Sequence, residues 1–222
     1  MPEIADGDRD EAYRVGPLTP ELRRPAPELG PKATRTRNRI LAAAKELYLA
    51  RGYNGVSVGD IAEAGNVSPA SFYTYFGSQR DVFVMLGIDC YHAMDQAVSD
   101  FVAMMPDWTD EKLDEWILGY MRFMNEHGVF VGAWAEAAYD DDELRESALG
   151  SELREARRLG TAVMKVSGYQ GDPIGLGLSV LALLERFWYF WKVFGVPMAE
   201  EDVLRTLRHA LSALLVSPGR PL

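Results

Sequence analysis

The sequence predicts an all-α protein: an N-terminal three-helix head containing a helix-turn-helix, followed by a larger helical C-terminal domain. Three observations predict it. Val56 to Asp81 carries three successive helix-start signals separated by tight breaks. From Asp107 onward, apolar residues recur at helical spacing between short glycine, proline or acidic interruptions. No stretch sustains the period-2 alternation of a half-buried strand. The 222 residues, 48% hydrophobic and 25% charged, are enough for a sizeable core of ordinary globular composition. We expect an arm at 1–33, a head at 34–82 and a larger helical domain at 83–217.

Residues 1–33 are rich in proline and acid and poor in large apolar side chains, a composition that cannot bury a core, so they are expected to be disordered. A first helix is expected over Thr36–Arg51, with Ile40, Leu41, Ala44, Leu47 and Tyr48 on one face and Gly52 as its stop. Ser57 and Asp60 then form a capping box in its Asp form, and Val56 with Ile61 forms a hydrophobic staple. Gly65-Asn66 ends that helix near Ala64, since both residue types accept positive φ. Ser68 caps the next, with Pro69 at the first helical position, where its missing N–H costs nothing. In SPASFYTYF, Phe72 and Phe76 lie four apart and face inward, leaving Ser71, Tyr73, Thr74 and Tyr75 turned elsewhere. Gly77-Ser78 closes this segment, and Ser78 with Asp81 opens a long helix running to Met104, before Pro106. Such a rod is a route for coupling two domains.

Beyond it we expect a helix from Thr109 to about Gly128 and a short one over Phe130–Tyr139. A further helix opens on the acidic run Asp140–Glu143 and continues to about Val166; the helix dipole favours acids at its start. A loop over 168–173 precedes helices at Ile174–Phe194 and Glu200–Val216.

Two short helices joined by a tight turn are a helix-turn-helix, whose second helix can enter a DNA major groove. Exposed tyrosines on that helix suit sugar–phosphate contacts and thymine methyls. The formal net charge of −10 at first opposes DNA, but it is unevenly spread. Residues 31–86 hold seven Lys/Arg against four Asp/Glu, so the head is +3 and the rest −13. Phosphates are read within a Debye length, so a locally basic head on an acidic body fits DNA.

The run from Arg35 to Leu86, with GVSVGDIAEAGNVSPASFYTYF and the following SQRDVFVML, resembles the DNA-binding domain of the TetR (tetracycline-repressor) family of transcriptional regulators. The resemblance covers about a quarter of the chain. It implies a ligand-responsive homodimer, most often a repressor, that leaves a palindromic DNA operator when a small molecule binds. It carries DNA contacts to Ser57, Pro69, Ala70, Ser71, Tyr73, Thr74, Tyr75 and Gln79. It also makes Arg35, Arg37 and Arg39, at the start of the first helix, candidates for the DNA backbone. Gln79 departs from the lysine many members have there, and the adjacent Arg80 is the candidate to take its phosphate.

The segment LSVLALLERFWYFWKVFG is apolar nearly all round and must be covered on more than one side. With the stripe of the last helix, it is the candidate interface of a homodimer built as a four-helix bundle through the last two helices. All five tryptophans lie in the C-terminal domain. The candidate ligand-binding residues are Met94, Trp116, Tyr120, Phe123, Met124, Phe130, Trp134, Phe187 and Trp191, which would suit a hydrophobic small-molecule effector. Glu126, Glu136 and Glu185 stand among apolar residues and either pair with a cationic effector or lie on solvated faces.

Enzymatic signatures lack their contexts. Gly55–Gly59 spells G-x-S-x-G without the preceding strand a nucleophile elbow needs. Gly175-Leu176-Gly177 has neither strand nor third glycine. His92, His127 and His209 show no metal-ligand spacing, and Cys90 has no basic neighbour. We therefore expect no enzyme, metal or cofactor. One cysteine excludes an internal disulfide and fits a reducing compartment. The N-terminus has no apolar signal region, and the longest apolar run, Ile174–Leu184, falls short of a membrane span, so a cytoplasmic protein is expected. The alternative from another class is a helical small-molecule-binding or enzymatic domain whose head binds a protein.

Overall fold

The computed structural model describes residues 29–215; the arm expected before residue 29 and the chain after 215 lie outside the described residues. The described chain is helical throughout, without strands. In order come α1 (Pro31–Arg51), α2 (Val58–Ala64), α3 (Pro69–Tyr75) and α4 (Gln79–Met104). A 3-10 turn (Met105–Asp107) leads to α5 (Asp110–Asp140) and α6 (Asp142–Ser167). Then come α7 (Pro173–Trp188), a π turn (Tyr189–Val193) and α8 (Glu200–Leu215).

Two boundaries differ from expectation for physical reasons. Helix α1 starts at Pro31 rather than Thr36, so residues 31–33 are helical and not arm. Gly30 is the N-cap and Pro31 holds a first-turn position. Expected breaks at Gly128 and Val129 do not occur, and 110–140 is one helix. Gly128 is there for packing, not as a stop: a Cβ at this position would lie 2.7 Å from the Trp188 ring.

The chain forms two compact units, Met1–Tyr91 with Val129–Gly150, and His92–Gly128 with Ser151–Leu222. Helices α4, α5 and α6 each run through both. The first unit is more than the expected head. Its core joins Ile40, Ala44 and Tyr48 of α1, Ile61 of α2 and Phe72 of α3 to Val82, Phe83 and Leu86 of α4. It also takes in Phe130, Ala133 and Ala137 of α5 and Leu144 of α6. Phe83 is its centre, T-shaped to Tyr48 at 5.1 Å and stacked on Trp134 at 5.1 Å. In the second unit α6 and α7 meet backbone to backbone. A Cβ on Gly177 would sit 1.8 Å from the Ala156 carbonyl oxygen, and one on Gly160 1.7 Å from that of Pro173. The glycine pair that mimics a nucleotide motif thus includes a packing glycine.

Candidate nucleic-acid interface and effector cavity

The helix-turn-helix is fixed by local hydrogen bonds. The Asp60 N–H donates to Ser57 Oγ at 3.2 Å, and the Ser57 N–H donates back to Asp60 Oδ2 at 2.9 Å. The Ser57 hydroxyl, which also donates to Asp60 Oδ2, and then the Ser57 N–H hold the Asp60 carboxyl below its ordinary range, ahead of the Arg51 guanidinium. At the end of α2, Asn66 takes the left-handed conformation (φ 49°) while Gly65 stays right-handed. The Val67 N–H then reaches the Ala62 carbonyl at 2.9 Å, a Schellman closure. Ser68 Oγ accepts from the Ser71 N–H at 3.1 Å, opening α3 with Pro69 in its first turn.

Phe72 and Phe76 are buried and anchor α3. Pro69, Ala70, Tyr73 and Thr74 are exposed, Tyr73 by 58%, and Ser71 is half-buried. Thr74 Oγ1 donates to the Ala70 carbonyl at 3.2 Å. Tyr75 is a correction: it is half-buried against the core of this unit, because three residues from Phe72 it flanks the buried stripe. Arg35 and Arg39, one turn apart on α1, are exposed. The Arg37 guanidinium lies over the Phe76 ring, 5.8 Å from its centroid.

Gln79 and Arg80 are engaged within the unit. The Gln79 side-chain amide donates to the Tyr53 carbonyl at 2.9 Å, and its backbone carbonyl accepts from the Tyr48 hydroxyl at 3.2 Å. Burial pushes the Tyr48 hydroxyl's pKa up. Arg80 is ion-paired through Nε with Asp141 at 2.6 Å and through Nη2 with Glu143 at 2.8 Å. The Arg80 guanidinium holds the Asp141 carboxyl below the usual carboxylate range.

In the second unit a cavity of about 630 Å³ lies along α4 and α5, lined by Trp116, Tyr120 and Phe123. It also carries Gln96, Asp100, Lys112, Glu115 and Arg122, which an aromatic count overlooks; the helical spacing of Gln96 and Asp100 could have found two of them. Along α5 the rings form a ladder: Trp116–Tyr120 centroids are 5.6 Å apart and Tyr120–Phe123 5.4 Å. The Tyr120 hydroxyl donates to Glu185 Oε1 at 3.3 Å and stands 3.9 Å from Met94 Sδ. Burial first, and then the Glu152 charge, pushes the Glu185 carboxyl up to about 7.

The other candidates separate. Trp191 lines a second cavity of about 180 Å³ with Met121 and Asn125. Met124 is buried and Phe187 half-buried, and neither lines either cavity. Phe130 and Trp134 are corrections: they pack on Phe83 in the first unit's core. Glu126 and Glu136 are exposed. Among the described residues, no three His, Cys, Asp or Glu are grouped so as to hold a metal.

Residues 40–86 match the family model described as "Bacterial regulatory proteins, tetR family". The HTH-type transcriptional regulator TcmR of Streptomyces glaucescens is 43% identical over 51 residues, 23% of each chain, so the match spans under a quarter of that relative. The TetR family transcriptional regulator PfmR of Thermus thermophilus has a similar structure (TM-score 0.56, 21% identity), covering 82% of this chain and 100% of PfmR. A Saccharomonospora viridis protein in complex with choline matches with TM-score 0.64 at 16% identity, over 83% of this chain and 100% of its own. At such identities the two structures speak for the fold alone. Residues 40–86 thus carry the signature of the tetR family of bacterial regulatory proteins, on a chain whose fold is similar to these two solved structures.

Proposed function

We propose that the protein is a homodimeric, ligand-responsive DNA-binding regulator, a repressor that leaves a palindromic operator when a small, largely hydrophobic molecule occupies its C-terminal domain. The observation that carries this reading is α3: two buried phenylalanines anchor it while Tyr73 stands in solvent beside Pro69, Ala70 and Thr74. An exposed tyrosine on such a helix can offer its ring to thymine methyls on a major-groove floor and its hydroxyl to the phosphates along the rim. Arg35 and Arg39 supply phosphate charge from α1.

The dimer reading rests on the run Pro173–Val193. By length and composition alone it could cross a membrane, yet only 33% of its most apolar 18-residue window is buried within the chain. Its buried face is Ile174, Gly177, Val180, Leu181, Leu184 and Trp188. A flanking face carries Leu176, Leu183, Phe187 and Phe190, all partly or fully exposed. A second copy of the same helix pair would cover that face, and two heads would then read two half-sites. As a DNA reader of a bacterial family, it would work in the cytoplasm.

The aromatic wall of the 630 Å³ cavity and the choline held by a protein of the same fold support a small-molecule effector. Its mixed polar lining gives such a molecule hydrogen-bonding partners as well as apolar surface. In vitro selection from random duplexes with the full-length protein tests the reading. A palindrome should be enriched, with affinity falling steeply as salt is added. Recovery of no sequence, with no low-salt affinity for any duplex, would contradict it.

A further inference from the structure

We propose that Arg80 positions the DNA-reading helix without touching DNA: Asp141 and Glu143 grip it and so fix the start of α4, and with it α3, to the capped N-terminus of α6. The inference rests on the DNA-binding reading above and names the residues that hold its reading helix in place.

The geometry leaves little of Arg80 for a phosphate. Its Nε donates to Asp141 Oδ2 at 2.6 Å, and its Nη2 donates to Asp141 Oδ1 at 3.3 Å and Glu143 Oε2 at 2.8 Å. One cation thus faces two carboxylates, and the group they make carries net negative charge. An approaching phosphate would meet the acids as well as the arginine. The fork-on-carboxylate arrangement is directional, so it fixes orientation more than a point charge would.

Asp141 has a second task. Its Oδ1 accepts from the backbone N–H groups of Glu143 at 3.1 Å and Leu144 at 3.0 Å, which makes it the N-cap of α6. The residue holding Arg80 is therefore the residue starting α6. The same junction is pinned from the α1 side: Gln79 bonds the Tyr53 carbonyl and Tyr48 hydroxyl, and the Asn54 amide reaches Asp140 at 3.4 Å. Helix α3 has seven residues, too few to be stable alone. Its placement is set by what holds the chain on either side of it, and Arg80 lies five residues beyond its last residue, Tyr75. A shift of the α5–α6 corner, which belongs to the first unit, would reach α3 through this grip.

The test uses the full-length protein and a fluorescent duplex bearing the palindrome enriched with the wild type. Dissociation constants are measured over a salt series for Arg80→Gln, Asp141→Asn, Glu143→Gln and the Arg80→Gln/Asp141→Asn double variant. Asparagine retains capping ability, so Asp141→Asn separates grip from cap. We expect Arg80→Gln and Asp141→Asn each to weaken binding about tenfold with unchanged salt slope, and the double variant to be no worse than either, as for two groups in one interaction. Glu143→Gln leaves the cap intact and decides the matter if either of the others melts early. It should weaken binding with the slope unchanged. The proposal is overturned if Arg80→Gln lowers the slope by about one per subunit, as loss of a phosphate contact does. It is equally overturned if removing either acid leaves binding unchanged or tightens it, as removing negative charge near DNA otherwise would. A wild type that enriches no palindrome removes the DNA reading itself, a different result from all of these.

Discussion

Glu185 shows what a single side chain contributes. Its carboxyl is half-buried, bonded to Tyr120 and pushed up to about 7 from 4.5. The folded protein therefore holds this proton more tightly than the unfolded chain does. The stability it contributes is complete below about pH 4.5 and is lost as pH rises through about 7. Glu185→Gln, which can still accept from Tyr120, should match the wild type in urea melts near pH 4 and exceed it by about 1–2 kcal/mol near pH 8, after allowance for partial exposure. An equal shift at both pH values would mean the carboxyl is not desolvated. At this scale the sequence was legible where chemistry is local. Ser57 with Asp60 and Ser68 with Ser71 behave as caps because their partners lie three residues away. Arg80 was not legible as a gripped residue, because its partners come from 61 and 63 residues further on. Gln79 turned inward for the same kind of reason: its partners, Tyr53 and Tyr48, belong to other elements.

Elements follow a similar rule. The α2–α3 pair was readable from caps, staples and breaks, each a short-range signal. The continuity of α5 was not, since Gly128 looks like a stop until Trp188 is packed against it. The two glycines of α7 separate packing from propensity. Gly177→Ala would place a Cβ 1.8 Å from the Ala156 carbonyl oxygen, while the nearest atom to one on Gly175 is Asp172 Oδ2 at 3.5 Å. Gly177→Ala should destabilise by about 2–3 kcal/mol or more in thermal melts, as overpacking does. Gly175→Ala should be neutral or stabilising by up to about 1 kcal/mol, because alanine is the better helix former. Equal effects of the two would contradict the close α6–α7 approach.

For the whole molecule, the helical class was legible from periodicity. The division of the chain was not: residues 129–150 join the helix-turn-helix in one compact unit, and an apolar stripe does not say which partner it will meet. The same ambiguity applies to α7, whose second apolar face, with Leu176, Leu183 and Phe187, is only partly covered among the described residues. Leu183→Glu on that face should convert the protein to monomers in sedimentation and cost most of the affinity for a two-half-site duplex. A variant that stays dimeric and binds normally would move the interface elsewhere. The most direct measurement is an electrophoretic shift on the selected palindrome at fixed salt, with wild type, Tyr73→Ala and Ser71→Ala, each checked for an unchanged melting curve. If α3 reads DNA, both variants bind more weakly while folding as the wild type does; undiminished binding by both would contradict it.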